Sequence, residues 1–276
     1  QTGFTGVQLH SAHGYLLSEF LSPNVNQRTD EWGGSIENRS RLLITTIEAI
    51  RDKVGSNFPI SVKLNSSDFQ KGGFTHEESI KVARILNNTS LDLLEISGGT
   101  YENFTALEMD SFNLKKAKTI KPQRSTIVRE AYFLKYAEAI KDVISIPLAV
   151  TGGFRSAEGM NNALQSGACD VIGLGRPLCS EPDIVNKLIS GEKKSATLYE
   201  NMLEFGPWIL GLNSPISLMR SNNKAAQVYW CYRQILKIAD GNEVDTKLGL
   251  FKAFLDHFRD DSANSKKYKA CWKDLD

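Results

Sequence analysis

A chain of 276 residues with 41% apolar and 24% charged side chains can bury a sizeable core and has the make-up of a globular protein. Its net charge of +1 gives no overall pull toward nucleic acid or an anionic membrane, and no apolar run approaches the roughly 20 residues of a bilayer span. Cys169, Cys179, Cys231 and Cys271 form no Cys-x-x-Cys pair, which speaks against a zinc or iron–sulfur cluster and for reduced thiols.

Strands and helices alternate along most of the chain. The first apolar stretch, 6–10, reads as a strand that ends at His10, and Gly14 breaks any helix that would continue the His10-x-x-His13 spacing. Residues 36–54 have helical periodicity behind a Ser35 N-cap, with Leu42, Leu43, Ile47 and Ile50 at apolar spacing. A second strand follows at 59–64. The next helix, 75–86, opens with Thr75 and Glu78 at capping-box spacing. Further strands are predicted at 91–97, 147–151 and 170–174, and helices at 130–143, 156–165 and 181–189. This βαβα order means a parallel sheet with right-handed crossovers. Residues 201–276 read as a helical extension of a domain spanning 1–200, with the basic run Lys266-Lys267-Tyr268-Lys269 as a solvated face.

Every predicted strand ends in polar or glycine-rich residues: His10, Lys63-Leu64-Asn65, Ser97-Gly98-Gly99, Thr151-Gly152-Gly153 and Gly173-Leu174-Gly175-Arg176. A barrel enzyme carries its chemistry at such a rim, although an open doubly wound sheet would also put a ligand there. At the first strand end, His10, His13 and Tyr15 bring together two imidazoles and a phenol. Two histidines are too few for a closed zinc site, and on spacing alone they could equally be ordinary surface residues. The two late glycine turns, with Arg176 beside them, suit an anion: backbone N–H groups approach it closely and the guanidinium fork matches phosphate oxygens. The plainer alternative is tight turns with Arg176 paired to an acid. Lys63 lies on a strand, where an inward ammonium is costly unless it meets an anion. Gly173-x-Gly175 lacks a third glycine, with Leu178 in its place, so no separate dinucleotide-binding motif is present.

The string His10-Ser11-Ala12-His13-Gly14-Tyr15-Leu16, then Phe20-Leu21-Ser22-Pro23, then Arg28-Thr29-Asp30-Glu31-Trp32-Gly33-Gly34-Ser35-Ile36-Glu37-Asn38-Arg39, resembles the signature of the Old Yellow Enzyme family of FMN-dependent ene-reductases. The resemblance extends through Arg176 and, more weakly, into the C-terminal helices. It implies a TIM (β/α)8 barrel that holds FMN. It also implies that a reduced nicotinamide, NADH or NADPH, delivers hydride to FMN and leaves before an activated alkene enters. On this reading His10 and His13 hold the substrate oxygen and Tyr15 protonates its α-carbon. Lys63 stands beside the flavin where the family commonly has arginine, and Gly152, Gly153, Gly175 and Arg176 hold the FMN phosphate. Arg28, Asp30, Glu37 and Arg39 form a structural ion network, Tyr101 and Phe104 lie on a loop that could cover substrate, and His76 and His257 are solvated.

About five strands can be found where a closed barrel needs eight. In the family the His10 strand would be the fourth, so the chain is expected to supply about the last five βα units. Either the chain is a fragment or truncated gene product, or another chain completes the barrel, within a homo-oligomer or otherwise; the alternative to an enzyme is an inactive barrel remnant that does not hold FMN. A different phosphate-binding barrel enzyme would need a Schiff-base lysine or an acid/base pair at the rim, and only Lys63 qualifies. With no signal peptide at its start, the protein is expected in the cytoplasm, free of membrane and nucleic-acid partners.

Overall fold

The computed structural model describes residues 3–98 and 133–273, with side chains described to residue 268. Tyr101, Phe104 and the first part of the helix expected at 130–143 lie outside the described residues. The chain forms two compact units, Gln1–Leu174 and Gly175–Asp276.

The first unit is a five-stranded parallel sheet in sequence order: β1 Val7–Ser11, β2 Ile60–Asn65, β3 Leu93–Ser97, β4 Leu148–Thr151 and β5 Val171–Gly173. Between them run α1 Leu16–Leu21, α2 Ile36–Val54, α3 His76–Leu86, α4 Leu134–Lys141 and α5 Ala157–Gln165. Local chemistry sets the helix starts. Ser35 accepts from the Asn38 N–H at the head of α2, and Ser156 from the Gly159 N–H at the head of α5. At α3 the full capping box forms between Thr75 and Glu78. Helix α1 was not expected: Gly14, at φ 81°, ends one segment, and a new turn begins at once because the Ser18 hydroxyl accepts from the Gly14 N–H at 2.9 Å.

The register puts the strand residues on two unlike faces. Ile60, Val62, Leu64, Leu94, Ile96, Leu148 and Val150 are all fully buried and pack with Leu43, Ile47, Val82, Leu86 and Ile140 of the helices. The opposite face carries Gln8, His10, Ser61, Lys63, Asn65, Glu95, Ser97 and Thr151, which pair across neighbouring strands as His10 with Lys63, Lys63 with Glu95, and Asn65 with Ser97. A parallel sheet ordinarily has both faces covered by apolar layers. Here the helices described in this unit cover one face, and the strand residues of the other are mostly polar.

The second unit holds α6 Arg176–Ser180, α7 Ile184–Ile189, α8 Ser217–Ala239 and α9 Leu250–Lys273. The helix expected at 181–189 is α7, which starts three residues later, and the short α6 before it was not expected. Pro177 sits in the first turn of α6, where its fixed φ favours helix initiation. Trp230 of α8 is the centre of this unit's core, stacked on Tyr199 and donating Nε1–H to the Leu248 carbonyl at 2.8 Å. No helix among the described residues is long and apolar enough to cross a membrane.

Candidate functional site

The C-terminal end of β1 gathers three rings. His10 lies on the polar face of the sheet. His13 follows in a left-handed conformation at φ 63°, where a non-glycine residue is strained. Two contacts hold it there: its N–H donates to Asn65 Oδ1 at 3.2 Å, and its Nε2 meets Ser97 Oγ at 2.8 Å. Asn65 is fixed in turn by Asp68, whose Oδ1 accepts from Asn65 Nδ2 at 2.9 Å while Oδ2 accepts from the Phe74 N–H at 3.0 Å. Asp68 therefore binds a neighbouring backbone group and also braces the turn at His13. The His10 ring lies 5.2 Å from that of His13 and 4.8 Å from that of Tyr15, which precedes α1 and is 43% exposed. The structure thus brings the three residues together at an accessible strand end.

Lys63 points onto the polar face, away from the helices. Its Nζ lies 2.8 Å from Glu95 Oε1, and Gln8 Nε2 donates to Glu95 Oε2 at 2.8 Å. Burial works against the charge on Glu95, yet hydrogen bonds from Lys63, Thr151 and Gln8 outweigh it and hold the carboxyl below its ordinary range. Glu95 escaped the sequence reading. The available signal was an acid at the middle of the apolar run Leu93-Leu94-Glu95-Ile96, on the alternation that faces away from the core. Burial and the Lys63 charge together lower the His10 pKa, partly opposed by Glu95. For His13 burial dominates, with help from Lys63 and His10, and the pKa falls to about 4. Both imidazoles are therefore neutral near pH 7, and each can serve as an uncharged N–H donor.

The glycine positions divide. Gly152 and Gly153, just past β4, have φ of 131° and 86°, backbone conformations that favour glycine. Gly173 has another role: a Cβ there would fall 1.8 Å from Thr151 Oγ1, so its bareness leaves room for the Thr151 side chain that bonds Glu95. Gly175 and Arg176 begin the second unit. Open space surrounds a Cβ position at Gly175, and the Arg176 guanidinium lies 3.5 Å from Glu200 Oε1.

Three minor expectations change. His76 is half-buried with its ring edge-on to Tyr136 at 4.9 Å, because the start of α3 packs beside α4. His257 stacks on Tyr229 at 4.0 Å, where α8 and α9 face each other, so neither histidine is simply solvated. The expected ion network is two separate pairs: Arg28 with Asp30 at the surface, and buried Arg39 with Glu78. Glu37 belongs to neither. Its carboxyl is lowered by its own backbone N–H and Ser35 at the head of α2.

Helix-backed parallel strands with titratable and glycine-rich C-terminal ends define an α/β protein whose candidate site lies at the strand termini. Its family is then specific: residues 1–195 match the NADH:flavin oxidoreductase / NADH oxidase family, and the chain belongs to it. It is 39% identical over 199 residues to the NADH-dependent flavin oxidoreductase nadA of Aspergillus parasiticus, a match covering 72% of this chain and 42% of that protein. With the NADH-dependent flavin oxidoreductase iliE of Neonectria sp. the identity is 36% over 210 residues, covering 76% and 26%. Among solved structures, the Old Yellow Enzyme homologue of Zymomonas mobilis superposes with a TM-score of 0.53 at 25% identity, over 78% of this chain and 54% of that one. The chain thus spans less than half the length of these two curated relatives.

Proposed function

We propose that this protein is part or all of an FMN-dependent oxidoreductase that passes hydride from NAD(P)H to an activated alkene, and that β1–β5 are five of the eight strands of its (β/α)8 barrel. The observation that supports this reading most is the packing of His10, His13 and Tyr15 around one strand end, one strand away from the cationic Lys63. In the first unit the glycines Gly152 and Gly153 and the Lys63 ammonium on the polar face suit a flavin, and in the second the Arg176 guanidinium suits a phosphate.

Bound FMN would supply the hydride that it receives from a reduced nicotinamide. His10 and His13 hold the carbonyl or nitro oxygen of the alkene through neutral N–H groups. Those bonds strengthen as negative charge grows on that oxygen, which is how aimed donors lower a barrier. On this reading the contact of His13 with Ser97 assigns its two nitrogens. With Nε2 occupied by Ser97, the donor is Nδ1–H, and Ser97 then gives its hydroxyl hydrogen to Nε2. Tyr15, at the open side of His10, delivers the proton to the α-carbon as general acid.

The half-reactions separate these roles. In the FMN-loaded enzyme Tyr15→Phe should leave reduction by the nicotinamide nearly intact and slow enone reduction about 10²–10⁴-fold. His10→Ala should weaken enone binding and slow its reduction. Equal losses in both halves for Tyr15→Phe, read by stopped flow, would make the tyrosine structural and the mechanism wrong. A second reading, a barrel remnant that does not hold FMN, draws support from the sheet itself, since β1 and β5 are edges among the described strands. Failure of the chain to take up FMN under every condition, with a completing segment added, would favour it.

A further inference from the structure

Two of the thiols in the second unit, neither used in the chemistry above, lie on neighbouring helices. Cys179 lies in α6, with its Sγ 3.9 Å from the Gly175 carbonyl oxygen. Cys231 lies in α8 beside the buried Trp230 and packs against that unit's core. The two side chains meet, the Cys231 thiol donating a hydrogen bond to the Cys179 sulfur, and both are in the reduced state. Each is held by a helix, and α6 packs on α8, so the encounter is built into the fold.

We propose that Cys179 and Cys231 form a reversible dithiol–disulfide site that reacts with hydroperoxides. The environment divides the labour between them. The hydrogen bond from Cys231 lowers the Cys179 pKa, burial opposes it, and the backbone N–H of Cys179 and the Arg176 charge assist, leaving the thiol at about 7. The same hydrogen bond and burial push the Cys231 thiol well up, with Glu200 raising it further and Arg176 opposing. Cys179 is thus the attacking thiolate and Cys231 the group that keeps its proton. The Cys179 thiolate attacks one oxygen of hydrogen peroxide. The O–O bond breaks, the departing hydroxide takes a proton to leave as water, and a sulfenic acid remains. The Cys231 sulfur then attacks the Cys179 sulfur, loses its proton and expels the second water as the S–S bond forms. Two electrons pass from the sulfurs to the peroxide. Two equivalents of a small thiol such as glutathione return the pair to the reduced state.

The full chain, reduced and then given one equivalent of hydrogen peroxide, provides the test. Of its four cysteines two should stop reacting with a thiol reagent. The intact mass should fall by two hydrogens, and a non-reducing digest should yield the Cys179–Cys231 linked peptide, reversed by excess glutathione. Without oxidant, iodoacetamide at neutral pH should label Cys179 about tenfold or more faster than Cys169, whose buried thiol is pushed up to about 11. Cys231→Ser should abolish the link and leave a dimedone-trappable sulfenic acid on Cys179. Oxygen added to Cys179 without a link in the unaltered chain, a link to Cys169 or Cys271 instead, or full retention of all thiols would each overturn the proposal. The wild-type digest alone suffices, so a poorly folding variant would not blur the outcome.

Discussion

His13 shows how much one residue can carry. It adopts a left-handed backbone, spends one ring nitrogen on Ser97, and sits where burial and Lys63 keep it uncharged. The consequence for stability has a definite sign. Its folded-state pKa of about 4 lies below the ordinary 6.5, so between those values the unfolded chain binds more protons. Stability should therefore rise with pH across that window and fall as pH drops through it. His13→Asn keeps a side chain that tolerates the left-handed region and removes the titration. Urea midpoints measured from pH 4 to 7 should show a flatter slope in the variant; an unchanged slope would mean that His13 does not supply the effect. The sequence displayed His10, His13 and Tyr15 because a glycine and a strand end isolate them. It did not display the strain at His13 or its partner Ser97, since both depend on how β1 and β3 lie across the intervening β2.

At the scale of elements, the helices announced themselves through caps and apolar spacing, and the bounds of α2 emerged as expected. Glu78 illustrates what remains hidden. It closes the capping box at Thr75, and its other oxygen pairs with Arg39, a side chain only 5% exposed and 39 positions away in sequence. Thr75→Ala should cost about 1 kcal/mol, the ordinary worth of an N-cap. Glu78→Ala should cost more, because it also strands a buried guanidinium. Equal losses in chemical denaturation would show that the Arg39 pair contributes nothing. The polar face of the sheet offers the parallel case. Glu95→Gln leaves the Lys63 ammonium, 19% exposed, without its carboxylate, at a cost of about 1.5–3 kcal/mol. It also removes the charge that partly offsets Lys63 at His10, so the His10 pKa should fall further. Lys63→Met added to Glu95→Gln should recover most of the lost stability. Simple additivity of the two losses would dismiss the pairing.

At the scale of the molecule, alternation made the parallel order of the sheet legible, while the number of strands needed for closure came only from the family resemblance. The described sheet has β1 and β5 at its edges, whereas a closed barrel has none. We expect FMN to bind weakly to this chain by itself and tightly once strands pair with those edges, supplied in cis or as a second polypeptide. Tight stoichiometric FMN on the 276 residues alone, read by the shift of the flavin absorption band, would refute this. The completed protein then allows the phosphate assignment to be weighed. Arg176 heads α6 with Glu200 as an ion-pair neighbour, so binding a phosphate there would replace one anionic partner of the guanidinium by another. Arg176→Ala should weaken FMN binding by about 1.5–3 kcal/mol, the range for hydrogen bonds to charged groups. Turnover at saturating FMN should change far less, because the guanidinium would hold the phosphate end of the cofactor and not its reacting ring. Arg176→Lys should fall between, keeping the charge and losing the two-pronged geometry. Collapse of turnover with FMN affinity unchanged would instead place Arg176 at the reacting atoms and remove it from the phosphate.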